Sequence, residues 1–278
     1  MKLAKRVIVS ALWHTMGRTN LVRLSRFLAN ESRLDSSNDM GKNGEQLVQA
    51  IVLRNSQRSP VVFIDVGANV GIWTRAAMAH RSSGQKLKVH AFEPCAGTVE
   101  TLRANLVRWD IASDVRVNCI AASSSTGTAI FYSSGANVGI NGLYADQHRN
   151  VQHTSEVTAV TLDSYCREQC IAEIDMLKID AEGHDMKVLE GATGLFTGQR
   201  IGVAQFEYNQ RWISARNYLR DVFDMVGHAG YTVGKITPLG IEFYERWHYE
   251  LETFREANFV AVRSEYRALF PQVKWWNH

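Results

Sequence analysis

The run VVFIDVGANVGI at residues 61–72 constrains this chain more than any other feature. A β-branched apolar stretch ends in Asp65, and the chain turns through Gly67, Asn69 and Gly71 before a helical pattern opens at Trp73. Glycine has no Cβ, so such a turn can take left-handed dihedrals and let a bulky ligand lie against bare backbone. A buried strand handed to a helix in this way is the first βα unit of a doubly wound α/β fold, with the ligand at the turn.

The order of residues selects among ligands. Dinucleotide sites use G-x-G-x-x-G, which brings a helix N-terminus against a pyrophosphate. Here D-x-G-x-N-x-G lacks the third glycine, and its leading acid suits a cationic or zwitterionic ligand better than a diphosphate. A second apolar strand, Leu87 to Phe92, is followed by Glu93, where an acid typically accepts hydrogen bonds from ribose hydroxyls. Asp65, Gly67, Asn69, Gly71 and Glu93 are therefore the expected cofactor contacts, and S-adenosyl-L-methionine fits them better than NAD. Two alternatives use the same architecture: an NAD-dependent oxidoreductase and a non-catalytic binding subunit. Acids retained at Asp65, Glu93 and Asp180 argue against a decayed site.

Strand and helix patterns alternate from residue 61 onward. Strand 61–65, a helix from Trp73, strand 87–92, helix 96–108 and strand 115–121 predict βαβ units and a mostly parallel sheet. Strands are expected at 128–132 and 157–162, the latter ending in Asp163, around an irregular polar stretch at 133–150. That insertion is long enough to be functional. GANVGI recurs at 135–140, and without a leading acid or a following helix the copy reads as coincidence. Closing strands are expected at 231–235, 241–244 and 259–263; the Trp275–Trp276 tail has no assigned place.

The segment IDMLKIDAEGHDMKVLEGA, residues 174–192, carries the second cluster of chemistry. Asp65, Glu93, Asp180 and Glu207 all end predicted strands, and ligands in such folds sit over those ends. With Asp65 and Glu93 given to the cofactor, Asp180, Glu182 and His184 remain beside the transferred group. Methylating an alcohol requires removal of its proton, a task for a carboxylate or a histidine. Lys178, two residues before Asp180, shares its face of the strand and either steadies a developing alkoxide or pairs with Asp180. Asp180, Glu182, His184 and Lys178 are thus the candidate catalytic set. Three such groups in one short turn rarely converge on a divalent ion without outside ligands, and no metal site is assigned. The polar loop, with Asn137, Asn141, Tyr144 and His148, and the stretch Tyr208–Arg216 are candidates for acceptor recognition.

FIDVGANVGIWT, AFEP at 91–94, TLDSY at 161–165, LKIDAEGHDMKVLEGA and NFVAV at 258–262, in that order, resemble the FkbM-type methyltransferases. The resemblance spans roughly residues 44–263. It implies a Rossmann-like class I fold, S-adenosylmethionine as donor and, most often, a hydroxyl oxygen as acceptor, here of a small molecule or glycan of sugar or polyketide type. It also implies donor contacts from the Asp65–Gly71 loop, ribose contacts from Glu93, and a substrate side at Asp180–Glu182–Gly183. The chain departs from the family where V-E-G-x-E is more usual, reading Ala181 and then His184–Asp185.

Residues 1–43 are expected to be a basic helical extension and 44–278 the methyltransferase domain. Lys2, Lys5, Arg6, Arg18, Arg23, Arg26 and Arg33 stand against Glu31 alone in the first 33 residues. Apolar residues recur there at helical spacing, predicting one or two amphipathic helices that cover the catalytic domain, with a basic face able to touch anionic lipid. The apolar core of MKLAKRVIVSALW is about seven residues, at the lower limit for a signal peptide, and no A-x-A pattern follows. Four cysteines without a C-x-x-C pair read as reduced thiols of a cytoplasmic protein. A net charge of +3, with the bases scattered, gives no ground for nucleic-acid binding.

Overall fold

The computed structural model describes residues 2–35, 39–139, 141–144 and 151–277, without the side chains of residues 2–5. His148 lies outside the described residues. The chain opens with α1 (Lys2–Ser32) and α2 (Glu45–Asn55), then β1 (Val61–Val66), α3 (Ile72–Ala79), β2 (Leu87–Phe92), α4 (Ala96–Arg108) and β3 (Val115–Asn118). Next come β4 (Ala121–Ala122), β5 (Gly127–Ser133), β6 (His153–Val160), α5 (Leu162–Glu168) and β7 (Ile174–Ile179). The last part holds α6 (Asp185–Glu190), α7 (Thr193–Thr197), β8 (Ile201–Tyr208), α8 (Arg211–Ser214), α9 (Leu219–Gly227), β9 (Tyr231–Thr237), β10 (Gly240–Tyr244) and β11 (Ala257–Arg263).

The main sheet has eight strands in the order β10-β9-β11-β8-β7-β1-β2-β3. From β3 across to β8 the strands are parallel, and β11, β9 and β10 add antiparallel. Every residue of β7 is buried, as the centre of a parallel sheet covered on both faces requires. Two apolar clusters fill the two faces, one around Leu177, Phe206 and Trp212, the other around Phe63, Met176 and Leu102. Between β1 and its neighbours β2 and β7 the strand order reverses direction, and there a crevice opens over the carboxyl ends.

A second sheet, β4-β6-β5, stands apart from the first. It corrects two expectations. The strand expected over 115–121 stops at Asn118, whose side-chain amide turns back to the Ala91 carbonyl at 3.1 Å; Ala121–Ala122 then joins the other sheet. The strand expected to run to Leu162 ends at Val160, because the Thr161 hydroxyl accepts from the Ser164 amide and starts α5. Asp163 is therefore no strand-end acid. Its carboxylate accepts from the Gly194 and Leu195 amides, at 2.8 Å each, at the start of α7.

The N-terminal segment is helical, broken at Gly17 (φ 76°, ψ 160°), but it does not cover the catalytic domain: Ile8, Trp13 and Phe27 are all more than half exposed. Of the two tail tryptophans, Trp275 packs edge-on to Tyr244 and joins the core, whereas Trp276 lies on the surface under Arg33.

Candidate active site

The glycine turn is dictated by crowding. Gly67 sits at φ 75° where β1 meets β7, and a Cβ there would come within 1.8 Å of the Asp180 carbonyl oxygen. The Gly67 and Ala68 amides donate to the Phe92 carbonyl, both at 3.0 Å, which ties the turn to the end of β2. Glu93 follows directly. Its Oε2 accepts from the Asn69 amide (3.1 Å) and its Oε1 from the Cys95 amide (2.9 Å), so backbone from both βα loops holds one carboxylate in place. Burial raises its pKa, and the two amides oppose the rise.

Gly67, Asn69 and Glu93 line a cavity of about 300 Å³ over the strand ends. Asp65 and Gly71 do not. Asp65 is fully buried beneath the floor, its Oδ2 accepting from the Thr74 hydroxyl at 2.7 Å and its Oδ1 lying 3.5 Å from Lys178 Nζ. Gly71 caps α3 at φ 90°, and an added Cβ would strike Leu102 of α4 at 2.6 Å; its freedom serves helix packing.

Asp180, Glu182 and His184 also line the cavity, and Lys178 does not. Lys178 stands below it, opposite Asp65 in the register of β1 and β7, with Asp180 Oδ2 at 3.3 Å. Burial alone lowers a lysine pKa, but Asp180, Asp65 and Glu45 together outweigh it and hold the ammonium charged. The Asp180 side chain keeps 40% of its exposure, whereas Glu182 is bound by Arg211 Nη1 at 2.9 Å. Asp185 is fully buried and accepts from the Ala181 and Gly183 amides, which fixes the turn carrying Asp180 and Glu182. Burial, then the Asp180 charge, push its pKa up to about 7. His184 Nε2 lies 2.9 Å from the Ser123 hydroxyl and its ring stacks obliquely near Tyr144. Burial and Lys187 pull its pKa down to about 4, so the imidazole is neutral at pH 7.

Two more carboxylates line the cavity: Glu207, where the strand-end pattern put it, and Glu45, for which the sequence held no signal. Glu207, at the end of β8, lines the wall and accepts from Asn209 Nδ2 at 2.5 Å. Burial first, then the carboxylates of Asp180, Asp185 and Glu182, raise its pKa well above the ordinary value. Glu45 arrives from α2 and is held by three side-chain amides, Asn43 and Gln205 at 2.6 Å and Asn258 at 3.2 Å. Strand alternation places Gln205 on the face of Glu207; nothing local connects Glu45 to either.

Part of the polar loop expected to meet the acceptor forms the wall. Val138 and Gly139 line the cavity, and the Asn137 amide donates to Thr98 on α4 at 3.0 Å. Asn141 bonds within the loop, to the Ser134 amide and the Gly135 carbonyl, and so shapes it. In the stretch 208–216, Tyr208, Asn209 and Trp212 are wholly buried and support the wall from behind. Among the described residues no group of three His, Cys, Asp or Glu side chains is placed to hold a metal ion.

A doubly wound α/β sheet with an acid-rich cavity at its topological switch point defines a Rossmann-like ligand-binding protein. The methyltransferase FkbM domain matches residues 65–233, and the chain belongs to that family. The 31-O-demethyl-FK506 methyltransferase FkbM of Streptomyces tacrolimicus is 28% identical over 155 residues, 47% of this chain and 58% of that protein. The hexuronic acid methyltransferase AglP of Haloferax volcanii is 28% identical over 150 residues, 54% of this chain and 57% of that protein. The chain thus spans less than two thirds of the length of either relative. Among solved structures, a methyltransferase FkbM from Methylobacillus flagellatus KT overlaps with a TM-score of 0.44 at 15% identity, over 76% of this chain and 47% of that one. An O-methyltransferase from Bacillus cereus in complex with SAH overlaps with a TM-score of 0.43 at 12% identity, over 92% and 97%.

Proposed function

We propose that the protein is an S-adenosylmethionine-dependent O-methyltransferase acting on a hydroxyl of a small molecule or glycan. The observation that carries this reading is Glu93: a buried carboxylate that lines the cavity and is locked by one amide from each of two βα loops. That geometry matches a pair of ribose hydroxyls. The donor's positive sulfonium fits a cavity lined by Glu45, Glu93, Asp180, Glu182 and Glu207, where a pyrophosphate would meet like charge. Asn69 Oδ1 is buried with no hydrogen-bond partner among the described residues, as expected of a group that meets a ligand.

The donor supplies an electrophilic methyl group; the protein positions the acceptor and takes its proton. Glu207 serves as that base. Asp180 is pinned by Lys178, Glu182 is bound to Arg211, and His184 is a weak base turned to Ser123, whereas Glu207 has an amide as its partner. Asp180 and Arg211 then orient the acceptor, and positioning carries much of the acceleration. The two named relatives point to polyketide and sugar acceptors. With both nearby cations already paired, the cavity favours an uncharged polyol over a hexuronate.

Calorimetric titration with S-adenosylhomocysteine, beside Glu93→Gln, tests the donor site. Micromolar binding by the wild type, lost in a variant with an unchanged unfolding midpoint, is the expected result. Absence of binding by the folded wild-type protein refutes the proposal.

A further inference from the structure

Helix α1 carries a charge imbalance that the rest of the chain lacks. Six of the 31 lysines and arginines lie in it against one of the 28 acids, leaving 25 cations against 27 acids elsewhere. The net positive charge of the whole protein therefore resides in this one arm.

The arm is also two amphipathic segments joined at Gly17. At about 100° per residue, Ile8, Val9, Leu12, Trp13 and Met16 fall within an arc of roughly 140°. After the break, Leu21, Leu24, Phe27 and Leu28 occupy one side, and Arg18, Arg23 and Arg26 the other. Among the described residues the apolar sides are left largely open: Ile8 is 60% exposed, Trp13 51%, Phe27 58% and Leu28 55%, with Met16, Leu21 and Leu24 half-buried. The base of the arm is fastened, with Arg33 Nη2 donating to the Glu250 carbonyl at 3.3 Å and Lys235 Nζ donating to the Arg33 carbonyl at 2.9 Å. No helix among the described residues is long and apolar enough to cross a membrane.

We propose that α1 is a surface-lying membrane anchor, seating its apolar side in the headgroup boundary of an anionic lipid bilayer with its arginines against the lipid phosphates. Charge complementarity selects this occupant. A second copy of the arm would bring six cations against six, at close range and with one acid each to offset them. An anionic bilayer offers both the apolar layer and the opposite charge.

The test is flotation of the full chain with vesicles of phosphatidylcholine containing about 30% phosphatidylserine, and with phosphatidylcholine alone. The protein is expected to float with the first and not the second, and to release as salt rises. The variant Arg18→Glu, Arg23→Glu, Arg26→Glu should lower partitioning by roughly a hundredfold, as loss of three cations near an anionic surface implies. Leu12→Ser with Trp13→Ser should lose it as well, with both variants keeping the wild-type unfolding midpoint. Failure to float on anionic vesicles, equal flotation on neutral ones, or flotation retained by the charge-reversed variant overturns the proposal. A lipid-free dimer that the Leu12, Trp13 variant dissolves also overturns it, by making this face a contact between copies.

Discussion

Lys178 offers a direct test of how the floor of the cavity is held. It is 6% exposed and bridges Asp65, fully buried, at 3.5 Å and Asp180 at 3.3 Å. Each contact is worth roughly 5 kcal/mol of Coulomb attraction at an effective dielectric near 20, before the cost of desolvating the partners. Lys178→Met removes the cation and leaves Asp65 buried with the Thr74 hydroxyl as its remaining partner. Removing one member of a buried pair costs about 3–5 kcal/mol. For a domain of this size that lowers the unfolding midpoint by about 10 °C. Asp65→Asn in the same background takes away the stranded charge, so the double variant should be more stable than Lys178→Met alone. A double-mutant cycle by urea unfolding measures the coupling, expected at about 2 kcal/mol or more. If Lys178→Met unfolds within about 0.5 kcal/mol of the wild type, the ammonium is not the counter-ion of a buried carboxylate and the argument falls.

Three other outcomes follow from the geometry. His184, at about 4 in the folded chain against 6.5 ordinarily, is protonated first in the unfolded chain, so it removes stability as pH falls from 6.5 toward 4, by up to about 3 kcal/mol. Asp185, raised to about 7 from 3.8, acts oppositely: its contribution is complete below 3.8 and is lost as pH rises through 7. Urea unfolding of His184→Gln between pH 4 and 6.5 should therefore lose less stability on acidification than the wild type does, and a slope unchanged from wild type would contradict the burial of His184. Because burial and neighbouring carboxylates raise the Glu207 pKa, arrival of a sulfonium should expel a proton. Calorimetry in buffers of different ionisation enthalpy should show proton release with S-adenosylmethionine, little with S-adenosylhomocysteine, and a smaller release in Glu207→Gln than in the wild type. Gly67→Ala, with its Cβ 1.8 Å from a carbonyl oxygen, should lose more than about 2 kcal/mol in denaturant titration, whereas Gly84→Ala, also at positive φ but in open space, should lose about 1.

The sequence made the parallel half of the sheet legible because its signals are local. Strand 87–92 and helix 96–108 fall where apolar periodicity puts them, and β1 ends one residue beyond the expected Asp65. Depth was not legible. Asp65 and Glu93 both stand at strand ends, yet one is sealed under the floor and the other faces the cavity, because Lys178 and Thr74 lie on the buried side of β1 and two loop amides lie above β2. Partner choice across the chain was equally hidden. Lys178 was expected beside Asp180, but its other partner, Asp65, is a cross-strand neighbour more than a hundred residues away. At Thr161 a cap overrode an alternating pattern.

These placements divide the site between two kinds of structure. The floor is a network of buried charges and amides spread over α2, β1, β7, β8 and β11, in which Glu45, Lys178, Gln205 and Asn258 depend on one another. Two of those four, Glu45 and Asn258, lie outside the matched residues 65–233, so the family core alone does not close its own floor. A change in one of these groups strands the rest, which makes the floor intolerant of substitution. The opposite wall is built from the loop after β5, whose described contacts include an amide to Thr98, bonds within the loop, a short bridge between Tyr132 and Gly142, and the Tyr144 ring beside His184. The hydrogen bonds described there, at Asn137 and Asn141, involve no buried charge. Under the proposed function, donor binding rests on the interlocked floor and acceptor choice on the loop wall, so a change of acceptor is predicted to come through Val138, Gly139 and Asn141 rather than through Asp180 or Glu207.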